Sequence, residues 1–132
     1  MPQFRIGDAA TLLGVSDDTV RRWIDAGRLS AERDPQGRLA IDGGELAAFA
    51  QQIASAPELG RGVAESARNR FTGLVTRVVK DGVMAQVDLQ AGPFRVVSLM
   101  SREAADELGL KPGVLAVASI KSTQVVVEVP GK

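Results

Sequence analysis

Two small domains, an all-α one followed by an all-β one, are predicted by three observations. Apolar residues recur at helical spacing through residues 1–53 and at strand spacing from about residue 70 onward. Between these regions, residues 54–65 are mostly small and include one proline and two glycines, a composition that breaks a helix and links two bodies. The whole chain has 132 residues, so each half is very small, and small domains often complete their buried surface by self-association. The expected boundaries are residues 1–53, a linker at 54–65, and residues 66–132.

In the first domain Ile6, Ala9, Ala10 and Leu13 fall on one helical face, and Gly14 ends that helix. Ser16 and Thr19 can cap a second helix from Asp17 to about Ala26, with Val20, Trp23 and Ile24 on its inner face and Gly27 as its stop. Trp23 shares a face with Val20 and so reads as a core anchor rather than a base-stacking ring. Leu29–Arg33 and Arg38–Ile41 are short extended runs joined by the turn-forming Asp34-Pro35-Gln36-Gly37. A third helix, Gly44 to Ile53, presents Leu46, Phe49 and Ile53 to the other two. Helix, short glycine turn, helix and hairpin make the plan of a winged helix-turn-helix.

The second domain opens with a strand from Phe71 to Lys80, followed by the hairpin signal Asp81-Gly82. Val83, Ala85, Val87 and Leu89 then alternate with Met84, Gln86 and Asp88, predicting an apolar and a polar face. After the turn at Gln90–Pro93 come a third strand, Phe94 to Met100, and a short helix, Arg102 to Leu108, which Ser101 can cap and Gly109 closes. Strands at Val114–Ile120 and Gln124–Val129 complete the order of an OB-like five-stranded barrel with one short helix. Phe71 and Phe94 are the only aromatic residues of this half, too few for a nucleic-acid stacking platform.

Composition narrows the function. The chain has no cysteine and no histidine, which removes disulfides, thiolate metal sites, the commonest general base and the usual partner of a serine nucleophile. No convergent carboxylate pair replaces them, so no catalytic residue, no metal site and no enzyme are expected. No leader pattern and no run of about 20 apolar residues is present, so a cytoplasmic protein with no membrane segment is expected. Residues 1–53 carry six arginines, no lysine and eight carboxylates, a net of −2. Any DNA binding by this half therefore requires arginines gathered on one face.

Two short stretches carry oxyanion chemistry. Ser66-Ala67-Arg68-Asn69-Arg70 offers a hydroxyl, a permanently charged guanidinium and nearby backbone N–H groups, and Lys121-Ser122-Thr123 adds a second cation and two hydroxyls. Taken singly, each is also what a solvated strand end looks like.

Residues 4–50 resemble the winged helix-turn-helix of the MerR and excisionase families. The resemblance rests on Gly14-Val15-Ser16, Thr19-Val20-Arg21-Arg22-Trp23, Ala26-Gly27-Arg28-Leu29 and Gly37-Arg38-Leu39-Ala40-Ile41. It implies a second helix in the major groove of double-stranded DNA and a wing on the phosphate backbone, with Thr19, Arg21, Arg22 and Arg38 near DNA. The chain departs from the family pattern at Asp17-Asp18, where carboxylates open the recognition helix, and in a wing poorer in charge. The alternative role of such a unit is assembly.

Residues 66–129 resemble the molybdenum-pterin-binding, or Mop, domain of the TOBE superfamily. The matching motifs are Ser66-Ala67-Arg68-Asn69, Ser98 to Ser101 leading into Glu103–Leu110, and Ile120-Lys121-Ser122-Thr123. The resemblance implies molybdate or tungstate bound at subunit interfaces of a homo-oligomer, a dimer or larger ring. It carries Ser66, Arg68, Lys121 and Ser122 over as main ligands, with Asn69 as ligand or loop brace and Ser101 as either a second oxyanion site or a helix cap. The chemistry agrees, because a tetrahedral dianion only accepts hydrogen bonds and asks for donors without carboxylates. The combined expectation is a molybdate-responsive DNA-binding transcriptional regulator, with a molybdate storage or homeostasis protein as the alternative.

Overall fold

The computed structural model describes residues 2–55 and 68–131, and the chain divides into two compact units, Met1–Ala56 and Pro57–Lys132. The expected linker lies almost wholly outside the described residues.

In the first unit strand β1 (Gln3–Arg5) leads into helix α1 (Ile6–Leu13), helix α2 (Asp17–Asp25), strand β2 (Glu32–Arg33), strand β3 (Leu39–Asp42) and helix α3 (Gly43–Ile53). Gly14 ends α1 in the left-handed region, φ 71°, which costs a residue without a Cβ little. The Ser16 hydroxyl accepts the Thr19 N–H at 3.2 Å and so satisfies one of the free donors that start α2. Ile6, Ala9, Ala10, Val20, Leu29, Ile41, Leu46 and Phe49 form the core, and Trp23 packs on it edge-to-face with Phe49 at 4.9 Å between ring centroids. The wing is present, but the unit is not purely helical. β1 joins it to make an antiparallel sheet of order β1-β3-β2, with Arg5 opposite Ala40 and Arg33 opposite Leu39. A three-residue strand is too short to show a period, so only its pairing reveals it.

The second unit is a curled antiparallel sheet of order β6-β5-β4-β7, built from β4 (Asn69–Lys80), β5 (Met84–Ala91), β6 (Phe94–Ser101) and β7 (Leu115–Ile120), with helix α4 (Arg102–Glu107) before β7. β4 serves two neighbours in turn. Its first half pairs with β7 from Asn69 to Leu74, its second half pairs with β5 from Leu74 to Lys80, and a register shift lies between Val75 and Arg77. At the crossover a Cβ on Gly73 would stand 2.1 Å from the Gln90 carbonyl oxygen, so glycine is required for the strands to pass. Val75, Val87 and Leu89 are the buried centre, with Val96, Met100, Leu110, Val114, Ala116 and Ala118 packed around them.

Two expectations need correction here. The fifth strand, expected at Gln124–Val129, is not formed by the described residues. A 3-10 turn spans Ser122–Gln124, and the valines that follow remain exposed, Val126 by 84% and Val127 by 83%. A Val-rich alternation states that a segment can pair, but only a free sheet edge within reach decides whether it does. The polar face expected of β5 is also interrupted. Asp88 is only 5% exposed, and its carboxylate accepts two N–H groups of Arg95, at 3.0 and 2.8 Å, and one of Gln86 at 3.1 Å.

These hydrogen bonds from Arg95 and then Gln86 hold the Asp88 carboxyl below its ordinary value, and backbone N–H groups of Met84 and Val83 do the same for Asp81. A depressed carboxyl stabilises the fold above its unfolded pKa and loses that contribution as pH falls through the lowered value. The thermal midpoint of the second unit should therefore fall below about pH 4, and Asp88→Asn should flatten the decline in a calorimetric pH series. Gly73→Ala should destabilise the same unit by about 1–3 kcal/mol, the usual cost of overpacking, read as a lower urea midpoint.

Candidate functional site

The two oxyanion stretches meet through the β4–β7 ladder. Asn69 is the register partner of Ile120, so Arg68 enters β4 beside the point where Lys121 leaves β7. The Asn69 side-chain amide donates to the Ile120 carbonyl at 3.1 Å, tying the two strand ends together across 51 residues of sequence. Lys121 precedes the 3-10 turn that Ser122 opens, and the Gln124 N–H donates to the Lys121 carbonyl at 2.9 Å. Arg68, Lys121 and Ser122 are exposed, while Asn69 is half-buried. Residues 66–70 and 118–124 contain no carboxylate, so the pair of strand ends offers cations, hydroxyls and amide donors without an acceptor competing for them. This donor set fits a tetrahedral dianion. Ser66 lies outside the described residues.

Ser101 is elsewhere. It closes β6 opposite Met84, at the end of the sheet remote from Asn69, and its hydroxyl accepts the Ala104 N–H at 3.1 Å as the cap of α4. Within one chain it does not join Arg68 and Lys121.

In the first unit Thr19, Arg21 and Arg22 lie on α2, and Arg38 immediately precedes β3, the wing's return strand. All three arginines are exposed. The Thr19 hydroxyl is 3.0 Å from that of Ser16 and accepts a guanidinium N–H of Arg22 at 3.2 Å, so the start of α2 carries a small ordered polar cluster. Asp17 and Asp18 occupy its first turn, where the helix dipole favours negative charge. Asp34 organises the wing turn by accepting the N–H groups of Gln36 and Arg38, both at 2.9 Å. These bonds, with that from Arg38 foremost, hold its carboxyl below the ordinary value. β1 and β2 bring two further arginines, Arg5 and Arg33, to the wing. The sequence held no signal for Arg5, because the strand that positions it has no period to read.

Among the described residues no group of three or more histidine, cysteine, aspartate or glutamate side chains could hold a metal, and no helix is long and apolar enough to cross a membrane.

Comparison with known proteins places both units. Residues 4–54 match the helix-turn-helix domain family and residues 65–127 match the TOBE domain family. Molybdenum-pterin-binding protein 3 of Clostridium pasteurianum is 43% identical over 63 residues, which are 47% of this chain and 93% of that protein. The chain belongs to the molybdenum-pterin-binding TOBE family. Its TOBE unit is also 40% identical over 63 residues to molybdenum-pterin-binding protein 1 of the same organism, again covering 93% of that protein. Among solved structures, the TOBE unit is similar to the cytoplasmic molybdate-binding protein ModG in a form with molybdate bound. The identity is 41% and the TM-score 0.50, over 52% of this chain and 50% of that one. The clostridial relatives are nearly spanned by the TOBE unit alone, so the helix-turn-helix is an addition relative to them.

Asn69→Ala removes the amide that bridges the strand ends. It should leave the sheet folded by circular dichroism while costing about 0.5–1.5 kcal/mol, a typical net hydrogen-bond contribution, in thermal or urea unfolding.

Proposed function

We propose that this protein is a molybdate-responsive DNA-binding transcriptional regulator, not an enzyme, with the TOBE unit as sensor and the helix-turn-helix as effector. The observation that carries the reading is the pairing of Asn69 with Ile120, which supports a single oxyanion site built from Arg68, Asn69, Lys121 and Ser122, with Ser66 as a further hydroxyl donor. The two cations offset the dianion's charge, and the hydroxyls and backbone N–H groups satisfy its oxygens. Tungstate shares this charge and shape and is an equivalent ligand. Ser101 belongs to such a site only if another subunit supplies it.

The protein acts as a homo-oligomer in this reading. Support comes from the apolar surface that one copy leaves open. The segment after the 3-10 turn exposes Val125, Val126, Val127 and Val129, and a groove of about 480 Å³ in the same unit is lined by residues such as Val96, Val97, Leu115 and Val117. Apolar surface of this extent is costly in water and is commonly covered by another subunit. In the first unit Thr19, Arg21, Arg22 and Arg38 contact double-stranded DNA, and molybdate alters the affinity by favouring one arrangement of paired helix-turn-helix units.

A specific observation favours a second reading, a molybdate storage or homeostasis protein. The clostridial relatives consist almost entirely of the TOBE unit, and residues 1–53 have a net charge of −2, so the helical unit would then serve assembly.

Calorimetric titration with molybdate in excess sulfate should show saturable binding that Arg68→Ala or Lys121→Ala weakens at least tenfold, about 1.4 kcal/mol. Unchanged binding in both variants would refute the site. A gel-shift titration separates the two readings, since a DNA affinity indifferent to molybdate leaves storage as the function. Val126→Glu with Val127→Glu should lower the mass seen by sedimentation if these valines are covered between copies.

A further inference from the structure

The arginines of the first unit are not spread over its surface. Arg5 at the end of β1, Arg21 on α2, Arg33 at the end of β2 and Arg38 before β3 all line one cleft of about 380 Å³. They arrive from four separate stretches of sequence, and the central strand β3 gathers two of them, since Arg5 pairs opposite Ala40 and Arg33 opposite Leu39. Two carboxylates oppose them. Asp17 lines the same cleft, and Asp34 pairs with Arg5 at 3.4 Å, so four cations against two anions leave a local surplus of two positive charges. This surplus exists inside a unit whose overall charge is negative.

The four guanidinium groups keep donors to spare. Asp34 is already engaged by two backbone N–H groups, and the Arg5 side chain remains 48% exposed beside it. Arg33 spends one N–H on the Gly37 carbonyl at 2.7 Å, out of the five that a guanidinium offers. Arg21 makes no side-chain hydrogen bond or ion pair among the described residues. Permanent charge, planar donors and a concave site together match a phosphate group better than any neutral or cationic ligand.

We infer that this cleft seats a backbone phosphate of duplex nucleic acid, with Arg5 and Arg33 as contact residues alongside Arg21 and Arg38. The inference deepens the DNA-binding reading and rests on it. Arg21 is adjacent in sequence to Arg22 on α2, so a phosphate in the cleft lies next to the helix that enters the groove. A contact of this type fixes register and orientation without reading sequence. It therefore shows in non-specific binding, for which no operator is needed.

The test is fluorescence anisotropy of the full chain with a labelled duplex of arbitrary sequence and about 30 base pairs, run over a salt series. Arg5→Ala and Arg33→Ala should each weaken binding several-fold at low salt and lower the slope of log K against log salt, and the double variant should lower it by about 0.9, the share of the one phosphate the cleft seats. Arg5→Lys should keep most of the slope, which separates lost charge from a disturbed wing. Arg28→Gln removes the same charge from a residue that instead sits over the rings of Trp23 and Phe49, at 6.0 and 5.6 Å, and should leave the slope unchanged. Equal slopes for the wild type, Arg5→Ala and Arg33→Ala, with binding still weakened by Arg22→Ala, would overturn the cleft and leave DNA binding standing. A slope reduced as much by Arg28→Gln as by Arg5→Ala would also overturn it, as a general field effect. No duplex binding at low salt would remove both readings. In that case Arg5-dependent binding of inorganic pyrophosphate would assign the cleft to a free phosphate ligand instead.

Discussion

The second unit depends on one strand that must serve two neighbours. β4 is 12 residues long, and it gives its first half to β7 and its second half to β5. That hand-over curls the sheet and buries Val75, Val87 and Leu89 at its centre. It is possible only because Gly73 carries no Cβ where the Gln90 carbonyl passes. The register shift between Val75 and Arg77 lies just beyond the crossing, where the Thr76 hydroxyl donates to the Asp88 carbonyl at 3.3 Å. A bulge beside a crossover adds twist where the strand changes partner.

The same hand-over creates the proposed oxyanion site. Because β7 pairs with the start of β4, the entry to one strand and the exit from the other fall side by side, and the Asn69 amide fastens them through Ile120. Residues at strand ends are free of the ladder's alternation, so charged and hydroxyl side chains can converge there without disturbing the core. The other end of the sheet has a different character. Ser101 is committed to the cap of α4, and Lys80 pairs with Asp106 on that helix.

The proposed DNA contact of the first unit raises an electrostatic problem that placement of charge answers. A net charge of −2 opposes DNA at long range, and within about 10 Å, the Debye length at ordinary salt, local charge takes over. Folding puts four arginines of six around one cleft and turns another, Arg28, onto the Trp23 and Phe49 rings. The carboxylates of Asp17 and Asp34 have structural work beside that cleft, at the start of α2 and in the wing turn.

The helices of the first unit were legible in the sequence because their signals are local. Ser16 caps α2, Gly14 ends α1, and the spacing of Val20, Trp23, Leu46 and Phe49 names the core. The four paired strands and the capped helix of the second unit follow from the same kind of pattern, and the donor-rich stretches at Arg68 and Lys121 could be named from residue type. Tertiary structure alone decided what joins to what. It recruited Gln3–Arg5 as a strand, buried Asp88 against Arg95, left Val125–Val129 without a strand partner among the described residues, and separated Ser101 from Lys121. The physical reason is range. Caps, turns and hydrophobic periods act over a few residues of one chain segment, whereas strand partners and clustered charges are set by which edges and surfaces meet after the chain has folded.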